Sequence, residues 1–284
     1  MPTFYNQATL SYNGITTNSN TTAGELVDTL SATKTAISTS YAPNQNVTFD
    51  ISLINSGNTA FTGLTLEDDM GAYLLGTSTV TPLTPIAGSV RYYINGALQT
   101  APAVTDAPDF KISGITVPAL GNASILYEAR INSFAPLASG SSITNTATIN
   151  AEGISAPITA TATISAEDET ALTISKALSP TTVSENGELT YTFIIQNSGN
   201  TPATADASLV ISDTFQPILN NISVAYNGSS LSSPTQFTYD TTTGEFATVA
   251  GQISVPAASY TQDAQTGAYT ITPGVSTLVI TGTI

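Results

Sequence analysis

The chain has 284 residues, a net charge of -15 and only five basic residues, with no Cys, His or Trp. Those absences exclude disulfide staples, Cys or His nucleophiles, His general bases and the common zinc sites. The scarcity of Lys and Arg argues against binding to nucleic acid or to anionic lipid. Only 9% of the residues are charged, so Ser, Thr and Asn must supply the surface polarity, as they do in extracellular-type β proteins.

The N-terminal stretch "MPTFYNQATL" lacks the basic region and apolar run of a secretion signal. The expectation is a removed leader, or an export route that needs none. No segment is long and apolar enough to span a membrane. Residues 5–14, "YNQATLSYNG", match residues 144–153, "TNTATINAEG", at Asn, Ala, Thr, an aliphatic position and Gly without a gap. The phase of Ala147, Ile149 and Ala151 places Asn6, Ala8, Leu10 and Tyr12 on one face of an N-terminal strand about 26 Å long.

Two long segments repeat further along the chain. Residues 33–70 pair with 175–215; both contain NSGNT after an alternating strand. Lys34 and Lys176 are 142 apart, as are Asn55 and Asn197, and a three-residue insertion brings Asp68 onto Asp213. "NASILYEARI" (122–131) pairs with "VSTLVITGTI" (275–284). Period-two alternation places Val47, Phe49, Ile51 and Leu53, and likewise Leu189, Tyr191, Phe193 and Ile195, on inward faces. NSGN reads as a hairpin turn, with Gly at positive φ, and "YYINGAL" as a second hairpin with NG at its turn. Tyr92 and Tyr93 in that hairpin read as core or cross-strand packing, or as a sugar-stacking face.

The fold class is therefore all-β: two tandem immunoglobulin-like sandwiches, the second lacking its closing strand, preceded by an N-terminal donor strand. The boundaries are 1–20 for the donor strand and linker, 21–165 for the first sandwich and 166–284 for the second. In the first repeat "TNTATINAEG" follows "ILYEARI" as the closing strand; in the second the corresponding strand is not found after "TLVITGTI". The copy at residues 5–14 is that strand, displaced to the other end. It either folds back into its own second sandwich or enters that of a neighbour. Gly14 to Lys34 is 20 residues and Gly153 to Lys176 is 23, a similarity that favours the neighbour and a head-to-tail homopolymer.

Lys34 and Lys176 share their phases with aliphatic residues, as do Asp68, Asp213, Asn145 and Asn6. A charge in an apolar stripe needs a partner. Two readings of each Lys, Asp and Asn trio are open: a buried salt bridge with an Asn satisfying backbone groups, or an autocatalytic crosslink. The second resembles the intramolecular isopeptide arrangement of Gram-positive pilin and adhesin domains. That resemblance implies a Lys amine attacking an Asn amide beside an inward acid, with Lys176 and Asp213 taking Asn6 from a neighbour. The acidic clusters "EDD" (67–69) and "AEDET" (166–170) lack a Ca²⁺-loop pattern and read as solvated segments. No metal site, cofactor or enzyme motif is marked.

At "INSGNT", "LEDDM" and "SITNTATI" the chain resembles a bacterial surface-repeat family of unknown function, the DUF-eleven conserved repeat, in two copies. The family pattern runs from an early Lys through YTxxVxNxG and VxDxLP to a closing TNTAxV. Asp68 is followed here by Asp69-Met70-Gly71 and Asp213 by Thr214-Phe215-Gln216, so neither copy keeps the family's Pro. The resemblance implies stalk or matrix modules of cell-surface proteins. The start "MPTF-NQATL" is similar to that of short leaderless members from spore-forming Firmicutes, which implies a spore-associated location. The expected function is a self-assembling structural filament subunit at the cell or spore surface. The rival expectation is a monomeric adhesin or stalk module binding a glycan or matrix protein.

Overall fold

The computed structural model describes residues 3–25, 29–107, 109–150, 154 and 156–284. Among them every regular element is a β-strand apart from one 3-10 turn, Ala205–Ala207. The chain divides into two compact units, Met1–Ala135 with Ser142–Ser165, and Pro136–Ser141 with Ala166–Ile284. Both are immunoglobulin-like β-sandwiches, and the alternation read in the sequence explains why: residues two apart share a face, so one face of each strand is apolar and must be covered.

The first unit opens with β1 (Thr3–Asn6), β2 (Thr9–Tyr12), β3 (Ile15–Asn18) and β4 (Thr22–Glu25). β1 pairs with β4 and β2 with β3, which makes one long hairpin turning at Asn13-Gly14, both at positive φ. The sandwich follows: β5 (Leu30–Ala36), β6 (Ser40–Tyr41), β7 (Asn46–Asn55), β8 (Phe61–Asp68), β9 (Tyr73–Leu75), β10 (Ser78–Val80), β11 (Leu83–Pro85), β12 (Arg91–Ile94), β13 (Ala97–Gln99), β14 (Ala103–Thr105), β15 (Phe110–Val117), β16 (Asn122–Ile131), β17 (Ser142–Asn150) and β18 (Ile158–Ala166). One sheet has the order β13-β12-β16-β7-β5, the other β14-β15-β8-β17-β18-β6. Val47, Phe49, Ile51 and Leu53 of β7 are buried together with Leu64 and Leu66 of β8 and Ala147 and Ile149 of β17.

The second unit contains β19 (Leu172–Ser179), β20 (Glu188–Asn197), β21 (Ser212–Thr214), β22 (Asn220–Tyr226), β23 (Ser229–Ser230), β24 (Phe237–Tyr239), β25 (Glu245–Thr248), β26 (Ser259–Gln262), β27 (Tyr269–Thr272) and β28 (Gly274–Thr283). Its larger sheet has the order β19-β20-β28-β22-β23, and its smaller one β21-β25-β24. Leu189, Tyr191, Phe193 and Ile195 face a core with Phe215, Phe246, Leu278 and Ile280. β8 is paired on both sides, by β15 and β17. Its repeat counterpart β21 is paired on one side only, by β25, among the described residues.

Two sequence expectations need correction. NSGN is not a hairpin turn: β7 and β8 lie in different sheets, as do β20 and β21, so each NSGNT run is a crossover. Asn55 is the reason for the motif. Its Nδ2 donates to Thr59 O (2.8 Å) and Pro118 O (3.0 Å), and its Oδ1 accepts from Gly57 N (2.9 Å). Asn197 repeats this with Thr201 O (2.8 Å), Gly199 N (3.0 Å) and Ala171 N (3.0 Å). The glycines are required by close approach: a Cβ at Gly199 would lie 2.1 Å from Glu169 O, and one at Gly57 would lie 2.8 Å from Thr29 Oγ1. Neither is among the positive-φ glycines. The NG of residues 95 and 96 does form a hairpin turn at positive φ, and Asn227-Gly228 repeats it in the second unit.

Each crossover rests on one buried amide. Replacing Asn55 by Ala removes donors from two backbone carbonyls, at a cost of about 2 kcal/mol or more. Asn197→Ala should destabilise the second unit by a similar amount. Denaturant unfolding of the two variants beside the wild type measures both.

Candidate functional site

Strand β5 carries Lys34 into the first core, where the residue is 5% exposed. Its Nζ lies 2.7 Å from Asp68 Oδ2, at the end of β8, and both side chains are fully buried. Asp68 also accepts hydrogen bonds from Tyr127 Oη of β16 and, at 3.0 Å, from Met70 N. Asn145 of β17 donates from Nδ2 to Tyr127 Oη at 3.1 Å, while its buried Oδ1 has no partner among the described residues. The ammonium lies over the rings of Phe49 and Tyr127, 5.0 and 5.9 Å from their centroids. The structure therefore brings Lys34, Asp68 and Asn145 into one network and adds Tyr127.

Sequence reading missed Tyr127, because an aromatic residue at an inward phase looks like core filler. The available signal was its hydroxyl, which must find a partner when buried. Burial pushes the Lys34 amine below its ordinary pKa, against the pull of Asp68. Burial likewise raises the Asp68 carboxyl, opposed by Lys34, and pushes the Tyr127 phenol well up, reinforced by the Asp68 charge. The Lys34 and Asp68 shifts both run toward the uncharged forms, against the mutual attraction of the pair.

In the second unit Lys176 and Asp213 also meet, in a hydrogen-bonded ion pair. Their side chains are 40% and 19% exposed, where those of Lys34 and Asp68 are sealed. Lys176 lies over Tyr191, 4.5 Å from the ring centroid. Every residue of β19 is exposed, including Leu172, Ile174 and Leu178, whereas Leu30 of β5 is buried. The apolar phase of β19 is thus not an inward face as it stands, since no second-sheet strand among the described residues covers it. The position equivalent to Tyr127 is Ile280, which offers no hydroxyl.

Asn6, Ala8, Leu10 and Tyr12 all lie exposed on the N-terminal hairpin, with Asn6 paired to Thr22. Instead of a lone strand, the segment is the outgoing arm of a hairpin whose return arm reaches Glu25. Phe4 belongs to the same face and occupies the position of Ile143, which is buried in the first sandwich. Its ring packs over Gly24, where an added Cβ would lie 2.4 Å from it. Ala151 and Gly153, used to align Tyr12 and Gly14, lie outside the described residues.

The remaining sequence candidates resolve simply. Tyr92 is buried, with its hydroxyl donating to Thr116 O at 2.6 Å, so it is not part of a sugar-stacking face. Glu67 pairs with Lys111 on the surface, and Asp69 Oδ1 accepts from Gly71 N and Thr146 N. Among the described residues, no group of three or more acidic side chains converges to hold a metal ion. No helix among them is long and apolar enough to cross a membrane.

No protein-family model matches the chain, and no curated protein matches it in sequence. Among solved structures it is similar to the major pilin subunit of Bacillus cereus, at 13% identity and a TM-score of 0.37, over 96% of this chain and 73% of that one. The pilus backbone of Streptococcus pneumoniae is similar at 10% identity and a TM-score of 0.35, over 86% of this chain and 55% of that one. A family 123 glycoside hydrolase from Clostridium perfringens is similar at 9% identity and a TM-score of 0.32; the match spans 49% of this chain and 27% of the hydrolase.

The two ion pairs should respond differently to the same change. In an Asn145→Ala background, where the pair stands alone, Lys34→Met strands a sealed carboxyl and should cost about 3–5 kcal/mol, whereas Lys34→Met with Asp68→Leu should recover most of that loss. Lys176→Met breaks a partly wet pair and should cost about 1 kcal/mol or less in the monomer. Equilibrium unfolding of the three variants checks the contrast.

Proposed function

We propose that the chain is a non-enzymatic structural subunit that assembles head to tail, its N-terminal segment completing the second sandwich of a neighbour. One pair of features carries this reading. Among the described residues the β21 edge is unpaired where β8 holds β17, and a second copy of the β17 sequence stands in the exposed N-terminal hairpin. Unpaired sheet edges recruit strands. Burying Phe4, Leu10 and Tyr12 against Leu172, Ile174 and Leu178 supplies about 1.5–3 kcal/mol per large side chain before ordering costs. The contact is heterologous and does not close on itself, so the product is a thin filament. Assembly then stabilises the second sandwich by mass action.

The same reading assigns a covalent step. In the first sandwich the neutral Lys34 amine attacks Cγ of Asn145. A proton passes from the amine through the acid to the departing amide nitrogen, ammonia leaves, and a Lys–Asn amide remains. Asn6 of one subunit stands to Lys176 and Asp213 of the next as Asn145 stands to Lys34 and Asp68. No cofactor is consumed. We read the two sandwiches as copies of the surface-repeat family named above, and the filament as an appendage of the cell or spore surface. Its partner is the chain itself, with no nucleic acid and no membrane insertion.

Negative-stain electron microscopy of the full chain beside a variant lacking residues 1–25 tests assembly. Filaments should form from the full chain only; compact monomers in both samples would sink the reading and move a loop-based adhesin to the front. Boiling in detergent tests the covalent step. It should leave a ladder from the full chain, and each bond should lower the intact mass by one ammonia, ~17 Da. Lys176→Ala and Asn6→Ala should each abolish the ladder, while the truncated variant keeps the single mass loss from Lys34 and Asn145.

A further inference from the structure

We infer that the inserted element is the whole hairpin from Thr3 to Glu25, seated in one fixed register, with its return arm capping the exposed face of β19. This inference rests on the head-to-tail reading above and specifies its interface. The template is the first sandwich. There β17 does not act alone: it pairs with β18 from Ser142↔Ser165 to Ile149↔Ile158, and the two lie in one sheet beside β8. Ala160, Ala162, Ile164 and Ala166 of β18 are buried, and the opposing sheet ends in β5, whose Leu30 and Lys34 are buried too.

The N-terminal hairpin follows this two-stranded arrangement with one extra residue on its return arm, between Thr22 and Asn18. Phe4 opposes Gly24 where Ile143 opposes Ile164, Asn6 opposes Thr22 where Asn145 opposes Ala162, and Leu10 opposes Thr17 where Ile149 opposes Ile158. The spacing into the following sandwich also agrees. Four residues separate Glu25 from Leu30, and five separate Ala166 from Leu172. Side chains opposite one another across an antiparallel pair share a face. So Phe4, Asn6, Ala8 and Leu10 of the outgoing arm face inward together with Thr17, Thr22 and Gly24 of the return arm. Small residues on the return arm suit a position tight against another sheet, as the alanines of β18 do.

The register follows from the first sandwich. Ala147 opposes Asp68, Thr148 opposes Glu67 and Ile149 opposes Leu66. The repeat carries Asp68 to Asp213, Glu67 to Ser212 and Leu66 to Ile211, and Ile211 is buried as Leu66 is. Ala8 of one subunit therefore opposes Asp213 of the next, Thr9 opposes Ser212, and Leu10 opposes Ile211. A slip by one residue would turn Asn6 and Leu10 to solvent and Thr9 inward. This register sets Asn6 two residues from the Asp213 position, as Asn145 is from that of Asp68. The return arm then lies over Leu172, Ile174, Lys176 and Leu178, the surface that stays wet in the single chain.

The natural chain has no Cys, so an introduced pair reports unambiguously. Full-length Thr9→Cys/Ser212→Cys protein, oxidised after assembly, should give a disulfide ladder that reductant collapses, in a background carrying Lys176→Ala to remove the amide crosslink. Ser11→Cys/Ser212→Cys, displaced by one pleat, should not crosslink; filaments in which this second pair forms the ladder and the first does not would overturn the register. Thr17→Arg should reduce the Thr9–Ser212 ladder at least tenfold, while Thr16→Arg, on the outward face beside Ser11, should leave it unchanged. Ladders equal in both arginine variants would overturn the capping role of the return arm. A disulfide confined to the monomer at all protein concentrations would overturn insertion into a neighbour. Absence of filaments and of both ladders would mark failure of the head-to-tail reading itself.

Discussion

The pairing of β17 with β8 is the contact on which the first sandwich depends. It satisfies the second edge of β8, carries Asn145 to Tyr127, and helps close the core over Lys34. Remove that strand and its hairpin partner, and the second sandwich is a close description of what remains. β21 keeps one neighbour, β19 turns its leucines and Ile174 to water, and the ion pair between Lys176 and Asp213 becomes partly solvated. The repeats have the same local pattern in both places. Burial is set by the facing sheet and not by the strand that bears the residue.

This difference has a chemical consequence. A Lys amine becomes a nucleophile when burial removes its proton, and a carboxyl becomes a proton donor when burial raises its pKa. Both shifts occur at Lys34 and Asp68, where desolvation outweighs their mutual attraction. The partly exposed pair of Lys176 and Asp213 lacks that burial. In an assembling subunit, seating of the donor would both deliver the amide and dry the site. The same event that positions the reactants would then activate them, which would keep Lys176 of an unassembled chain unreactive.

Much of the architecture was legible in the sequence because strand alternation has a period of two and the chain repeats it. Val47 through Leu53 and Leu189 through Ile195 are buried as that period requires. Tyr127 was not legible, because alternation marks a residue as inward without saying that its hydroxyl joins Asp68 to Asn145. NSGNT misled for a related reason. Asn and Gly favour turns, yet the same residues serve a crossover when Asn55 is buried as a bracket and Gly57 permits a close approach. The phase of β19 was read correctly as apolar, but phase alone does not report whether a covering sheet is present. The return arm of the N-terminal hairpin, "ITTNSNTTAGE", escaped notice because its Thr, Asn and Ser show no apolar alternation.

That polarity would also restrain a donor of the kind proposed from pairing at random. A lone apolar strand with two free edges is a hazard, since it pairs with any edge it meets. Folding the strand against a Thr- and Asn-rich arm satisfies one of its edges and, in the proposed assembly, would leave the other for the acceptor. A two-stranded hairpin is only marginally stable by itself, but it need not be stable to be useful. Partial order already fixes the turn at Asn13-Gly14 and the pairing of Phe4 with Gly24. Less conformational entropy is then lost on docking than for a disordered strand. In the assembly proposed above, one element would thus do two things: shield one edge of the strand before docking, and arrive with its inward face already aligned.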